Sequence, residues 1–427
     1  MSLIKNFSKL FLLLLLLLPC SLLAQIDDDQ RVQTDQVYKD NIRTVQFYNS
    51  GIINSYPIMS FNSGERITLR FDELNSRPHD YQFTIIHCDA NWKPSQLIKS
   101  EYIDGMFSDY FPPYTMSNNT LKSYVHYKLD FPTQNMRLKM SGNYLLKVFT
   151  ENEKNPVITR RFYVYENTAA VSAEIVRASY AKYADSKQQV NFSVTYADQL
   201  NITNPFNDIK VVVRQNWRSD NELLGLKPKL IQNKTLVYNY EEENLFDGGN
   251  EFRAFDISDV RYRGIGVRYF TSDSLYQATL FDDEDRSPNI YTKYIDQNGQ
   301  YSISTKQGQT PYTEADYIWV YFRLKTIPEQ GTDIYVYGAL TNWLLDRRFK
   351  MIFAPKEGEF QAAFLLKQGY YDYQYVTVDR DGNVNPTSLE GNHWETENNY
   401  VIFAYYTPPG QNYDLLIGKG SFNSQLK

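Results

Sequence analysis

Arg66-Ile67-Thr68-Leu69-Arg70-Phe71 sets Ile67, Leu69 and Phe71 on one side of an extended chain and Arg66, Thr68 and Arg70 on the other. That two-residue period is the pattern of a half-buried strand. The same grammar continues outward. Gln82-Phe83-Thr84-Ile85-Ile86-His87-Cys88-Asp89 reads as a strand, and Gly142 to Phe149 reads as another. A turn at Asn152 to Pro156 then leads into Arg161-Phe162-Tyr163-Val164-Tyr165, so these last two strands form a hairpin. Beyond a boundary at Glu166-Asn167, further strands are predicted over Val190 to Tyr196, Ile209 to Gln215, Leu236 to Tyr240, Ile265 to Phe270 and Tyr317 to Leu324.

No segment past the first thirty residues carries a helical stripe of apolar residues over three turns. Many short strands at this spacing predict an all-β chain of tandem immunoglobulin-like β-sandwiches. The expected division is a lead-in over 25–40, flexible because it is polar and acidic, then an N-terminal sandwich over 41–167. A middle sandwich over 168–326 and a C-terminal sandwich over 327–420 follow, with Thr326 to Gly331 as the linker between them.

Composition supports a folded body. Of 427 residues, 15% are aromatic, 36 of them Tyr, and aromatics favour strands and half-buried faces. With 42% hydrophobic and 22% charged residues the chain is not disordered. A net charge of −6 argues against a nucleic-acid partner. Two Cys make no disulfide framework. Lys5 and Lys9, the apolar run to Leu18, and Ala24 before a polar stretch describe a cleavable signal peptide over 1–24. Its removal takes 2 of the 44 basic residues and leaves a net charge of −8. Cys20 offers the alternative of a lipidated cysteine. Otherwise Cys88 is the one mature thiol, read as a buried small apolar residue.

Asp282, Asp283, Glu284 and Asp285 lack the alternating oxygens and central glycine of a calcium loop, so they read as a solvated loop. Asp379-Arg380-Asp381-Gly382-Asn383 reads as a hairpin turn. Gly264-Ile265-Gly266 lacks the third glycine of a phosphate loop. His79, His87, His126 and His393 have no ligand-like spacing. The residues therefore name no catalytic group, metal, cofactor or small-molecule substrate. A hydrolase with carboxylates paired only in three dimensions stays open at this point.

From Ile334-Tyr335-Val336-Tyr337-Gly338-Ala339-Leu340-Thr341-Asn342-Trp343 through Gly369 to Val376 and Asn385-Pro386, the third block resembles the early-set modules beside starch- and glycogen-handling enzymes. The glycogen-binding members carry a Lys and a Trp where Gln374 and Val384 stand here, and Trp343 matches a largely structural tryptophan. A periplasmic glycan-binding protein using this module is the alternative function.

A wider resemblance rests on Thr44-Val45-Gln46-Phe47-Tyr48, Tyr56-Pro57-Ile58-Met59, Ile85-Ile86-His87-Cys88-Asp89-Ala90-Asn91-Trp92 and Glu101-Tyr102-Ile103-Asp104-Gly105. Tyr124-Val125-His126-Tyr127, Phe131-Pro132 and Ser141-Gly142-Asn143-Tyr144 extend it. Together they resemble the plug family of the type IX secretion system. The resemblance implies a periplasmic protein at the inner face of the outer membrane, partnered by a large translocon barrel whose periplasmic opening it occludes. That job needs a stiff body and a contact patch. The aromatic, Pro-interrupted segment Tyr110-Phe111-Pro112-Pro113-Tyr114-Thr115-Met116 is the candidate patch, with Tyr110, Phe111 and Tyr114 as partner-binding residues.

Overall fold

The computed structural model describes residues 33–74, 77–327 and 329–425. The expected signal peptide, Cys20 and the first part of the lead-in lie outside the described residues. Every described α-helix is four residues long, at Lys99–Tyr102, Pro205–Asp208 and Pro311–Glu314. Among the described residues, none is long and apolar enough to cross a membrane. The rest of the architecture is strand, turn and loop.

The first sandwich pairs Ile42–Asn49 with Ile67–Glu73 and Val125–Phe131 in one sheet. The facing sheet sets Gln82–Cys88 beside Gly142–Phe149, which pairs in turn with Ile158–Tyr165. Ile67, Leu69 and Phe71 point into the core between them, with Phe83, Ile85, Leu146 and Phe162 opposite. The lead-in is not free over its described part. Gln36–Val37 adds to the strand Ile158–Tyr165, and the Arg161 side chain donates to the Gln33 carbonyl.

The two later sandwiches are not arranged in tandem. Lys187–Tyr196 and Ala169–Arg177 form one sheet of the middle sandwich. Its second sheet places Ile209–Gln215 beside Asn399–Tyr406, which pairs with Leu415–Asn423. The chain's last two long strands therefore close the middle core of Val190, Phe192, Val211, Val213, Ile402 and Ile417. The third sandwich is inserted between these halves. Its core gathers Phe255, Ile318, Val320, Phe322, Val336, Tyr373 and Tyr375.

The expected boundary at 326/327 is thus corrected. Tyr317–Lys325 pairs along its length with Glu359–Lys367, so the proposed division cuts through a sheet. A turn-rich linker looks the same in sequence whether it joins two sandwiches or crosses between the sheets of one, and here it does the latter.

Two junctions bury the sandwiches against one another. Ile58, Cys88, Trp92, Leu145 and Tyr163 of the first pack on Val212, Val401, Phe403, Tyr405 and Leu416 of the middle one. Cys88 is fully buried there, and burial pushes its thiol well above the ordinary range, which suits an apolar filler. The first and third sandwiches meet through the other face of the strand Ile67–Glu73. Asp72 Oδ2 accepts from Lys367 Nζ at 2.6 Å and from the Tyr317 hydroxyl at 2.8 Å.

Candidate functional site

The loop 110–116 is built by a change of sheet. Asp109–Tyr110 pairs with Gln82 and Phe83 at the rim of one sheet, and Thr115–Met116 pairs with His126 and Val125 at the rim of the other. Pro112 and Pro113 occupy the crossing, where a missing N–H costs no ladder bond. The loop therefore covers an open end of the first sandwich.

Its three candidate residues separate. Phe111 turns inward; its amide donates to the Tyr81 carbonyl at 2.9 Å, and its ring packs near-perpendicular to Phe71 and Phe83 with centroids 5.6 and 5.9 Å away. It is a core cap. Tyr110 is 63% exposed and Tyr114 43% exposed, the latter leaning on Tyr127 at 6.1 Å. Met106, Phe107 and Met116 are exposed beside them. Sequence reasoning missed Met106 and Phe107, although an apolar pair following Gly105 in a turn is a readable signal. Gly105 itself sits at φ +103°, and a Cβ there would lie 2.1 Å from the Asn135 carbonyl oxygen.

Below the loop runs a shallow groove of about 950 Å³ lined by Arg66, Asp109, Tyr110, Lys128, Asp130 and Arg137, among others. Just past the loop the chain is fastened to the third sandwich. Asn118 N donates to the Thr313 carbonyl, and Leu121 N to Asp316 Oδ1. A load on the exposed tyrosines is thus passed to two sandwiches.

The most concentrated set of buried ionisable groups lies at the first–third junction. Asp72 Oδ1 accepts from His126 Nδ1 at 2.7 Å, and Lys367 donates to the Tyr312 carbonyl while sitting 4.0 Å over the Tyr124 ring. Burial by itself raises the Asp72 pKa. The Lys367 cation and the His126 hydrogen bond outweigh it and hold the carboxyl below its ordinary value. Lys367 and Tyr317 reach Asp72 across the junction and His126 braces it from within the first sandwich, so the cluster fastens two sandwiches.

The remaining motifs resolve as structure. Asp282 is ion-paired with Arg268 and Lys325, and Asp283 with Arg253, so the expected solvated acidic loop is instead an edge held by cations. Sequence distance hid those partners. Asp379 Oδ1 accepts from the Asp381 and Asn383 amides, which makes that segment a turn. Trp343 packs edge-on to Tyr337 and Phe252 at 5.4 and 5.9 Å. Gln374 is buried. Neither forms an exposed row of rings for a sugar. Among the described residues no group of three His, Cys, Asp or Glu side chains is placed to hold a metal ion.

Three sandwiches with shared buried junctions and an exposed aromatic loop define an all-β protein. The model of the type 9 secretion system plug protein first domain matches residues 42–166, the first sandwich from its first long strand to its last. A crystal structure of a hypothetical protein from Parabacteroides merdae ATCC 43184, at 2.30 Å resolution, is 32% identical with a TM-score of 0.88. The alignment covers 92% of this chain and all of that one. The native conformation of E. coli alpha-2-macroglobulin aligns at 9% identity over 92% of this chain and 23% of that one, with a TM-score of 0.18 that carries no argument. No curated protein matches. Residues 42–166 belong to the type 9 secretion system plug protein first-domain family, a family of secretion-system components.

Proposed function

We propose that this protein is a non-enzymatic periplasmic stopper, exported by its signal peptide, that binds the periplasmic opening of the type IX outer-membrane translocon and occludes it. Family membership supports a secretion-system role in the cell envelope. The observation that carries the stopper reading is mechanical. Each sandwich has its own core, and both junctions are buried, one apolar and one ionic. A body of this kind resists deformation, and steric exclusion requires stiffness rather than a catalytic group.

Tyr110 and Tyr114 are the proposed contacts with the barrel, flanked by Met106, Phe107 and Met116. Tyr offers large contact area for few torsions, and its hydroxyl tolerates the free state in water. Phe111 holds the loop in place from within. Trp343 and Gln374, the positions that carry the sugar-binding resemblance, are occupied in packing, which leaves that alternative without the platform the resemblance would use.

The test is affinity purification of the tagged chain from gently solubilised envelopes. Recovery of a very large outer-membrane barrel protein supports the proposal. Purification without such a partner, or retention on a polysaccharide column instead, contradicts it.

A further inference from the structure

A second cavity of about 140 Å³ lies where all three sandwiches meet. The first contributes Gln46, Tyr56, Arg160, Arg161 and Tyr163, the middle one Arg214 and Trp217, and the third Tyr301, Asn342 and Trp343. At roughly 30 Å³ per water, the space matches about four or five waters, enough for a carboxylate and a short stub behind it.

The lining is electropositive and incompletely paired. Three guanidiniums face one carboxylate, Asp35, while Glu222 is ion-paired with Arg214 from outside the cavity. Three guanidiniums against two carboxylates leave one positive charge. Arg160 makes its hydrogen bonds to the Gln36 and Thr159 carbonyls and to Asn342 Oδ1, with no acid among them. Burial holds the pKa of both Arg160 and Arg214 below the ordinary guanidinium value, the condition that a captured anion relieves.

Residues of the same walls carry polar atoms without hydrogen-bond partners. The Tyr163 hydroxyl, Arg214 Nε and Gln46 Oε1 have none among the described residues, and these side chains are 2%, 4% and 8% exposed. The Arg214 guanidinium carbon is 5.5 Å from the Tyr163 ring and 5.9 Å from that of Trp217. Tyr56 lies over Trp217 with ring centroids 3.6 Å apart, which gives the cavity an aromatic wall. Two unpaired donors and one unpaired acceptor describe a ligand that carries a carboxylate and an N–H.

We propose that this junction cavity is a carboxylate-binding site for a peptide chain end. Arg160, Arg214 Nε and the Tyr163 hydroxyl take the carboxylate, Gln46 Oε1 takes the terminal amide N–H, and the Tyr56–Trp217 wall takes the last side chain. Occupancy ties the first and middle sandwiches together, because Gln46, Tyr56, Arg160 and Tyr163 come from the first and Arg214 and Trp217 from the middle one. Asn342 of the third holds Arg160 in place. The site does not depend on the stopper reading, since it is defined within the isolated chain.

The test titrates the full chain with acetyl-Ala-Ala carrying a free carboxylate, its C-terminal amide, and acetate, each against chloride at matched ionic strength. Thermal midpoint and tryptophan fluorescence are the readouts. The expected result is a saturable rise in midpoint with the free-acid peptide, at least tenfold weaker binding for the amide, and a loss of at least tenfold in Arg160→Gln. Tyr163→Phe removes a hydroxyl that has no partner, so its fold persists, and about fivefold weaker binding is expected. Saturation by acetate with no advantage for the peptide keeps the carboxylate site and assigns it to small free acids. Equal responses to peptide, amide and chloride overturn the proposal, as does binding that neither variant weakens.

Discussion

Lys367 Nζ stands 2.6 Å from Asp72 Oδ2, each side chain 1% exposed, and the pair joins two sandwiches separated by 295 residues in the chain. A buried ion pair contributes little over a well-packed apolar pair, yet removing one partner strands the other's charge.

Lys367→Met leaves Asp72 with His126 and Tyr317 as its remaining partners. The variant is expected to lose about 3 to 5 kcal/mol of stability. Adding Asp72→Asn in the same chain recovers a large part of it, because the uncompensated charge is gone. Denaturant midpoints of the two variants and of Asp72→Asn alone check this through a double-mutant cycle.

His87 sets an acid limit. Its Nε2 faces the Ser141 carbonyl at 3.3 Å, so it donates there, while buried Nδ1 has no partner for a second proton. Burial, only partly offset by that carbonyl, brings its pKa from 6.5 down to about 4. Above pH 6.5 the ring is neutral folded and unfolded, and there is no penalty. As the pH falls from 6.5 to about 4 the unfolded chain takes the proton first, and stability drops by about 3 kcal/mol. His87→Gln is expected to flatten that part of the stability–pH curve relative to the wild type.

Asp372 works in the opposite sense. It is fully buried, and its Oδ2 accepts the Gln297 and Gly299 amides. Burial first, and the Asp296 carboxylate second, raise its pKa from 3.8 to about 7. The folded state keeps this proton after the unfolded chain has released it. The cost is absent below pH 3.8, grows as the pH rises, and is complete above about 7. Asp372→Asn retains an acceptor for both amides and removes the titration. It is expected to be the more stable protein at pH 8, by up to about 4 kcal/mol, with the gain fading toward pH 4.

Tyr110→Ala and Tyr114→Ala test the docking loop. Both side chains are exposed, so each variant is expected to hold its midpoint within about 0.5 kcal/mol of wild type. Each is expected to weaken capture of the barrel partner about tenfold. Phe111→Ala differs in kind. It opens a hole among Phe71, Phe83 and Tyr127 and is expected to cost about 3 kcal/mol of stability.

The strand Ile67–Glu73 marks what the sequence can and cannot convey. Its alternation is local, and Ile67, Leu69 and Phe71 lie in the core as the pattern requires. Its polar face suggested water, but Asp72 is covered by the third sandwich. Such a face resembles a solvated one because its partners, Lys367 and Tyr317, arrive from far along the chain. The same limit hid the return of Asn399–Tyr406 to the middle sheet, for no local signal states which edge a strand will join. At the docking loop, composition marked an aromatic, Pro-broken segment. Which ring faces inward was decided by the crossing between two sheets, a three-dimensional fact.

The central claim is occlusion, and conductance tests it most directly. The translocon barrel, stripped of this protein and placed in a planar bilayer, is expected to pass a large ion current. Adding the purified chain to the periplasmic side is expected to close that current, with Tyr110→Ala and Tyr114→Ala requiring about tenfold more protein. A current that persists undiminished while the chain is demonstrably bound contradicts the account.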